Sequence, residues 1–106
     1  MGAWIGLNEA LILAALEGGE SLSVADVAQR FDAANIGRTI DDGSIYLALH
    51  RMTQRGLVTR AARTATSADG KQREIGYYKI AATGMRAISD FTRSVEAMPR
   101  LVRRPT

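Results

Sequence analysis

Cysteine is absent from the sequence, and histidine occurs once, as His50. Without cysteine the chain has no disulfide framework, no thiolate nucleophile and no cysteine-rich zinc site, and a single imidazole supplies few metal ligands. The longest apolar run, residues 10 to 16, is far shorter than the roughly 20 residues of a membrane span, and no basic signal-peptide segment precedes it. We therefore expect a cytoplasmic protein that uses no metal or other cofactor and does not contact a membrane.

The groups needed for catalysis are also lacking. Ser44 and His50 are six positions apart, which is about 240° around a helix. Within one chain they therefore cannot act together as a catalytic nucleophile and its general base. Asp41 and Asp42 are adjacent and point apart, and there is no phosphate-binding glycine-rich loop of the P-loop kind. We do not expect the chain to be an enzyme.

The charge of the chain is unevenly distributed along its 106 residues, a length that suits one domain. Residues 1 to 50 carry two basic and seven acidic side chains, whereas residues 51 to 106 carry twelve basic and four acidic ones. The two halves therefore have net charges of −5 and +8. This split favours a polyanionic partner that meets mainly the second half, and mutual neutralisation of the halves across one surface is the alternative.

Local patterns predict three helices, then a hairpin, then a fourth helix. Capping residues predict the helix starts, namely Asn8 for the first, Ser23 with Asp26 for the second, Asp41 or Asp42 for the third and Thr83 for the fourth. Gly56 is expected to end the third helix as a left-handed residue, and Pro99 to end the fourth near Met98. The segments "LVTRAART" and "REIGYYKIA" alternate as strands do, and Asp69-Gly70 between them is a hairpin-turn signal.

This order of elements is that of a winged helix-turn-helix with an additional C-terminal helix, a mainly α fold with a small β-hairpin (α+β). We expect a winged-helix domain over residues 1–82, a dimerisation helix over 83–98 and a basic, mobile tail over 99–106. The apolar residues of the last helix step by three, four and three positions, which is the spacing of a two-stranded seam. Together with the N-terminal tryptophan they form the predicted dimer interface, which consists of Trp4, Ile88, Phe91, Val95 and Met98.

The third helix of such a fold enters a DNA major groove, and the hairpin, or wing, reaches the adjacent backbone. Ile45, Ala48, Leu49 and Met52 form its inward stripe, which leaves a mixed face outside. We expect Ser44, His50 and Gln54 to hydrogen-bond base edges and Leu47 to contact a thymine methyl group. Arg51 and the Tyr46 hydroxyl suit phosphates, as do Lys71 and Arg73 of the wing. The alternative is a winged-helix protein-interaction module that does not bind DNA.

The stretch "GSIYLALHRMTQRGLVTR", followed by "GKQREIGYYKIAATGMRAI", resembles the PadR-type transcriptional regulators. The shared pattern is a small residue, an aliphatic and a tyrosine at the start of the recognition helix, then a Gly-Leu-aliphatic turn, a basic wing, a Tyr-Tyr strand and a Thr-Gly helix start. The resemblance covers about residues 8 to 90 and implies a homodimeric repressor of duplex DNA whose C-terminal helix pairs with its partner. It also implies that a small aromatic effector could bind at the dimer interface, as it does in some members of the family.

Overall fold

The computed structural model describes residues 4 to 102. Within this range four helices and one antiparallel hairpin follow each other in the predicted order. Their bounds are α1 Leu7–Leu16, α2 Val24–Ala34, α3 Asp42–Gln54, β1 Val58–Thr66, β2 Gln72–Ile80 and α4 Ala82–Leu101. None of the helices in this range is long and apolar enough to cross a membrane.

One hydrophobic core joins all six elements. The inner faces of α1, α2 and α3 meet the base of the hairpin and the first half of α4, and removal of these apolar side chains from water is the main force that holds the elements together. The largest fully buried side chains are Ile12, Leu13, Leu16, Val27, Ile45, Leu49, Met52, Leu57 and Val58. Because three of them lie on one stripe of α3, the opposite face of that helix is turned to solvent.

The first helix begins earlier than its predicted cap. The helix starts at Leu7 after an extended Gly6, so Asn8 is its second residue and not its cap. The backbone N–H of Gly6 donates to the Glu9 carboxylate at 3.0 Å, which fixes the start of the helix ahead of Asn8. The prediction of an Asn8 cap was wrong because this hydrogen bond from Gly6 competes with it.

Both ends of α3 follow the predicted chemistry. Asp41 is the N-cap, and its side chain accepts from the Ser44 N–H at 2.7 Å. At the other end Gly56 has a positive φ of 74°. The Gly56 N–H donates to the Thr53 carbonyl and the Leu57 N–H donates to the Met52 carbonyl, the pair of bonds that defines a Schellman motif. This motif turns the chain from α3 directly into β1.

The hairpin pairs its strands in a continuous antiparallel register from Val58 opposite Ile80 to Thr66 opposite Gln72. Tyr78 and Ile80 are buried at its base, whereas Lys79 is exposed and Tyr77 is partly exposed on the other face, as predicted. The turn contains the predicted Asp69-Gly70, and Gly70 has a φ of 81°. Only the base of the hairpin is anchored in the core, so its outer part projects from the body of the domain.

The fourth helix begins and ends differently from the predictions. The Ala81 N–H donates to the Leu57 carbonyl at 3.0 Å, which holds Ala81 extended as the N-cap, so the helix starts at Ala82 and Thr83 is not its cap. The helix also continues through Pro99 to Leu101, whereas it was expected to stop at Met98. The fixed φ of Pro99 is close to the helical value, but the residue cannot donate to the carbonyl of Val95, so the last turn lacks one backbone hydrogen bond. The predicted tail is therefore helical over 99–101, and residues 103–106 lie outside the described range.

Candidate nucleic-acid interface

Six side chains project from the side of α3 that faces away from the core, and we call this set the reading face. All six are exposed, and Tyr46 and Leu47 each have about half of their surface accessible. The members are Ser44, Tyr46, Leu47, His50, Arg51 and Gln54. The structure thus places every predicted residue of α3 at the surface, on a helix whose opposite stripe is fixed in the core.

The two flanks of the reading face differ in character. Tyr46 and His50 lie one turn apart, and their rings are nearly parallel, with an angle of 14° and 6.3 Å between the ring centres. The other flank, with Ser44 and Arg51, borders a groove. Leu47 and Gln54 lie on the outermost part of the helix between these flanks, where they are the first to meet a surface that approaches α3.

The groove beside α3 is formed by the first turn of α1, one flank of α3 and part of the α2–α3 connection. We call it the α1–α3 groove. It is lined by Gly6, Leu7, Asn8, Glu9, Arg38, Ser44, Leu47, Ala48, Arg51, Gln54 and Arg55. Four residues of the reading face therefore share one concavity with Arg38, a residue that the sequence analysis did not assign.

Arg55 holds the start of α1 against the end of α3. Its guanidinium contacts the Glu9 carboxylate at 3.0 Å and also donates to the backbone carbonyl of Trp4. This clamp connects residues that are 46 and 51 positions apart in the chain. It fixes one wall of the α1–α3 groove relative to the reading face.

The N-cap of α3 places a carboxylate beside the reading face. The Ser44 backbone N–H, together with the Ser44 side chain, stabilises the charged form of Asp41 and lowers the pKa of this carboxyl below its ordinary value of 3.8. The charge is therefore permanent at neutral pH and belongs to the helix start. Asp42 is exposed in the first turn of the same helix.

The wing, which comprises β1, β2 and the loop 67–71, has two faces of different charge. Directly opposed residues share a face of an antiparallel pair. Arg63, Arg73 and Lys79 occupy one face, on which the strands carry no carboxylate. The other face carries Arg60 and Glu74, whose charged groups are 3.8 Å apart. The wing is thus cationic mainly on one side.

One cation–π contact and two hydrogen bonds order the outer part of the wing. The Arg63 guanidinium lies over the Tyr77 ring, 4.8 Å from its centre, in a cation–π arrangement. At the tip, the Ser67 hydroxyl and then the Lys71 N–H donate to Asp69 and lower the pKa of its carboxyl. Lys71 and Arg73, the two predicted wing contacts, are both exposed beside this ordered turn.

The predicted dimer residues do not all lie at the surface. Trp4 is 88% exposed, and Val95 and Met98 are 43% and 55% exposed on the distal half of α4. Phe91 is partly buried against the core, and Ile88, with only 6% exposed, belongs to the core of its own chain. Ile88 therefore fills the junction of α4 with the domain, which accounts for its place in the apolar stripe. Leu101, 80% exposed, extends the free part of this stripe.

The sequence predicted no contact for Arg38 or for Arg63. The position of Arg38 depends on how α1 packs against α3, and no local pattern carries that information. The position of Arg63 could have been predicted, because side chains alternate between the two faces of a strand. Once the register is known, this alternation places Arg63, Arg73 and Lys79 on one face.

These features together define a winged helix-turn-helix domain, with α3 as the exposed second helix of the motif and the hairpin as the wing. Residues 12–90 match the model of the transcriptional regulator PadR-like family. The chain belongs to this family, which confirms the resemblance found in the sequence and the winged-helix fold class. The family consists of transcriptional regulators, which confirms that the chain is not an enzyme. No curated protein matches the chain.

Solved structures of PadR-type regulators share the fold. A PadR family transcription regulator from Clostridium difficile superposes with a TM-score of 0.72 at 20% identity, and the match covers 91% of this chain and 94% of that one. A PadR-like transcriptional regulator from Bacillus cereus gives 0.66 at 23% identity, with 91% and 87% covered. Bacillus subtilis PadR in complex with operator DNA gives 0.65 at 21% identity, with 95% of this chain and 50% of that protein covered.

Proposed function

We propose that this chain is a sequence-specific regulator of transcription that binds double-stranded DNA as a homodimer and acts as a repressor. The observation that carries the proposal is the reading face, which presents hydrogen-bonding groups and one aliphatic side chain from a helix whose inner stripe is fixed in the core. A face of this composition matches the donors, acceptors and thymine methyl groups at the edge of a major groove. The operator complex of Bacillus subtilis PadR supports the proposal by analogy of fold.

The residues of the reading face take different roles in this proposal. His50 and Gln54 hydrogen-bond base edges, and Ser44 does so near the start of the helix. Leu47 contacts a thymine methyl group from the outermost part of α3. Arg51 and the Tyr46 hydroxyl bind phosphates on the two flanks, which orients the helix without specifying sequence.

The wing supplies charge contacts beside the reading helix. Lys71 and Arg73 bind the backbone next to the major groove that α3 occupies. Arg63 and Lys79 lie on the same strand face as Arg73 and strengthen the positive field there. The weakly charged face with Arg60 and Glu74 turns away from DNA.

The homodimer forms through the distal half of α4, where Phe91, Val95 and Met98 of the two copies pack together with the segment around Trp4. Isolated apolar side chains are common on protein surfaces, but a stripe of them along a projecting helix marks an interface. A two-fold dimer places the two α3 helices about 34 Å apart, one turn of DNA, and favours a palindromic operator. A small aromatic effector at this interface would stack on Trp4, the only tryptophan, and quench its fluorescence.

Substitutions that separate base recognition from backbone binding test this function. Arg73→Ala should weaken binding to all duplexes about equally and reduce the salt dependence. His50→Ala and Gln54→Ala should instead change the ranking of sequences selected from a random duplex pool. If all three variants changed affinity equally for every sequence, the assignment of base-reading roles would be wrong.

A further inference from the structure

The α1–α3 groove carries positive charge that the reading helix alone does not account for. Three arginines and one glutamate line the groove. Arg55 and Glu9 form an ion pair with each other. Arg38 and Arg51 form no ion pair within residues 4–102, so two cations in the groove are available to an anion from outside.

The chain geometry around Arg38 holds it at this position. Asn35 and Gly37 both have positive φ angles, 50° and 76°, and turn the chain sharply after α2. Ile36 and Ile40, on either side of Arg38, pack against the core. The backbone at Arg38 is thus anchored on both sides, while its own side chain is exposed.

The dimensions of a helix in DNA indicate what the groove receives. An α-helix with its side chains is about 10–12 Å wide, and the major groove is about 12 Å wide. A helix that lies in the groove therefore has a sugar-phosphate strand against each of its flanks. The Ser44–Arg51 flank of α3 faces the α1–α3 groove, so the strand on that side passes along Arg38.

We propose that Arg38 and Arg51 together bind the phosphates of one DNA strand in the α1–α3 groove, with the first turn of α1 as the outer wall. This proposal rests on the proposed DNA-binding function and adds a backbone contact from the α2–α3 connection. The two guanidinium groups come from different elements that line the groove, α3 and the α2–α3 connection, and together they fix the position of that strand and hence the register of α3 in the major groove.

Salt dependence of binding measures the contact directly. Each neutralised phosphate contributes about 0.9 to the slope of log affinity against log salt concentration. Arg38→Ala should therefore reduce the slope by about 1.8 for a dimer that loses two contacts. Arg38→Lys keeps the charge and should restore most of the slope, and fluorescence anisotropy with a labelled duplex provides the readout.

Arg93→Ala is the matched control, because it removes the same charge from an exposed arginine on α4, away from the groove. It should leave the slope unchanged. If Arg38→Ala and Arg93→Ala gave the same slope while the wild-type protein bound DNA, the groove contact would be wrong and the proposed function would stand. If the wild-type protein bound no duplex at low salt, the proposed function itself would fail.

Neutral methylphosphonates, placed one at a time in the bound duplex, locate the phosphate. At the position that Arg38 contacts, the wild-type protein should lose affinity and Arg38→Ala should lose none beyond its own deficit. A uniform loss for both proteins at every position would contradict a defined contact.

Discussion

Asp41 caps α3 at a position where a negative charge would repel the phosphates of DNA. Its carboxylate accepts the Ser44 N–H at 2.7 Å and so satisfies a free donor of the first turn of α3. The negative charge also interacts favourably with the positive end of the helix dipole. The carboxylate thus stabilises the start of the reading helix, and the proposed phosphate contacts come instead from Arg38 and Arg51 in the α1–α3 groove.

The lowered pKa of Asp41 predicts how this cap responds to pH. Because the folded-state pKa is below the unfolded value of about 3.8, the stabilising effect is complete well above that value and is lost as the pH falls through the folded-state pKa. Asp41→Ala should lower the midpoint of thermal unfolding at pH 7, and the difference from wild type should shrink below about pH 3.8. Asp41→Asn keeps a capping oxygen and should be affected less at pH 7. A pH-independent difference for Asp41→Ala would contradict this role.

At the level of single residues, the sequence predicted which side chains of the reading face are exposed. It did not predict which residues from distant parts of the chain pack beside them. The helical period alone places Leu47, His50 and Gln54 opposite Ile45 and Leu49. Ile88 continues the apolar stripe of α4 but is buried at its junction with the domain, and the period cannot distinguish a core contact from a dimer contact. Arg38 joins the groove only through long-range packing, which no local signal reports.

At the level of elements, helix ends were predictable where the controlling contacts are local. The Schellman motif at Gly56 uses bonds within one turn of the helix, and the signal in the sequence was sufficient. The start of α4 is set by a bond from Ala81 to Leu57, a residue 24 positions away, so Thr83 was a reasonable but wrong cap. Pro99 lies inside the last turn of α4, although a proline cannot donate the backbone hydrogen bond to the carbonyl four residues earlier, and no contact within residues 4–102 explains this extension of the helix.

Gly84 determines how closely α4 approaches the start of β1. A Cβ atom at this position would lie 2.1 Å from the Leu57 carbonyl oxygen and 2.9 Å from Ile80 Cγ1. Gly84→Ala should therefore force α4 away from the hairpin and destabilise the fold by about 1–3 kcal/mol. The midpoint of thermal unfolding should fall by roughly 4–8 °C for each kcal/mol.

Gly43→Ala is the control for this substitution. Gly43 lies in the first turn of α3, where an added Cβ would make only an ordinary contact, 3.4 Å from the Asp41 carboxylate. Alanine should be neutral or stabilising there, since it reduces the entropy of the unfolded chain. Equal unfolding midpoints for the two variants would show that the close approach at Gly84 is not a constraint.

At the level of the whole molecule, the charge split is not relieved by contacts between the halves. Four ion pairs occur within residues 4–102, and the pair between Arg55 and Glu9 is the one that joins the acidic first half to the basic second half. The alternative of mutual neutralisation therefore finds little support in direct contacts. The cations of the α1–α3 groove instead lie beside the reading helix, and those of the wing are exposed on one face of the hairpin, so both sets are accessible to a polyanion.

The projecting half of α4 predicts the effect of charge on assembly. Phe91→Asp should convert the dimer to a monomer, because a carboxylate in an apolar seam cannot be paired or hydrated. Phe91 also contacts the core, so Met98→Asp, which lies beyond the core contact, should have the same effect without loss of stability. Ser89→Asp on the polar side of α4 is the control and should remain dimeric. Sedimentation of Met98→Asp as an unchanged dimer would exclude this helix from the interface.

The measurement that tests the central claim most directly is fluorescence anisotropy of a labelled random-sequence duplex with the wild-type protein over a range of salt concentrations. A dimer with about six to eight phosphate contacts should bind at low salt and lose affinity with a log–log slope of about −5 to −7. A protein-interaction module would show no binding to the duplex at low salt, or binding that salt does not change. Either of these results would contradict the account.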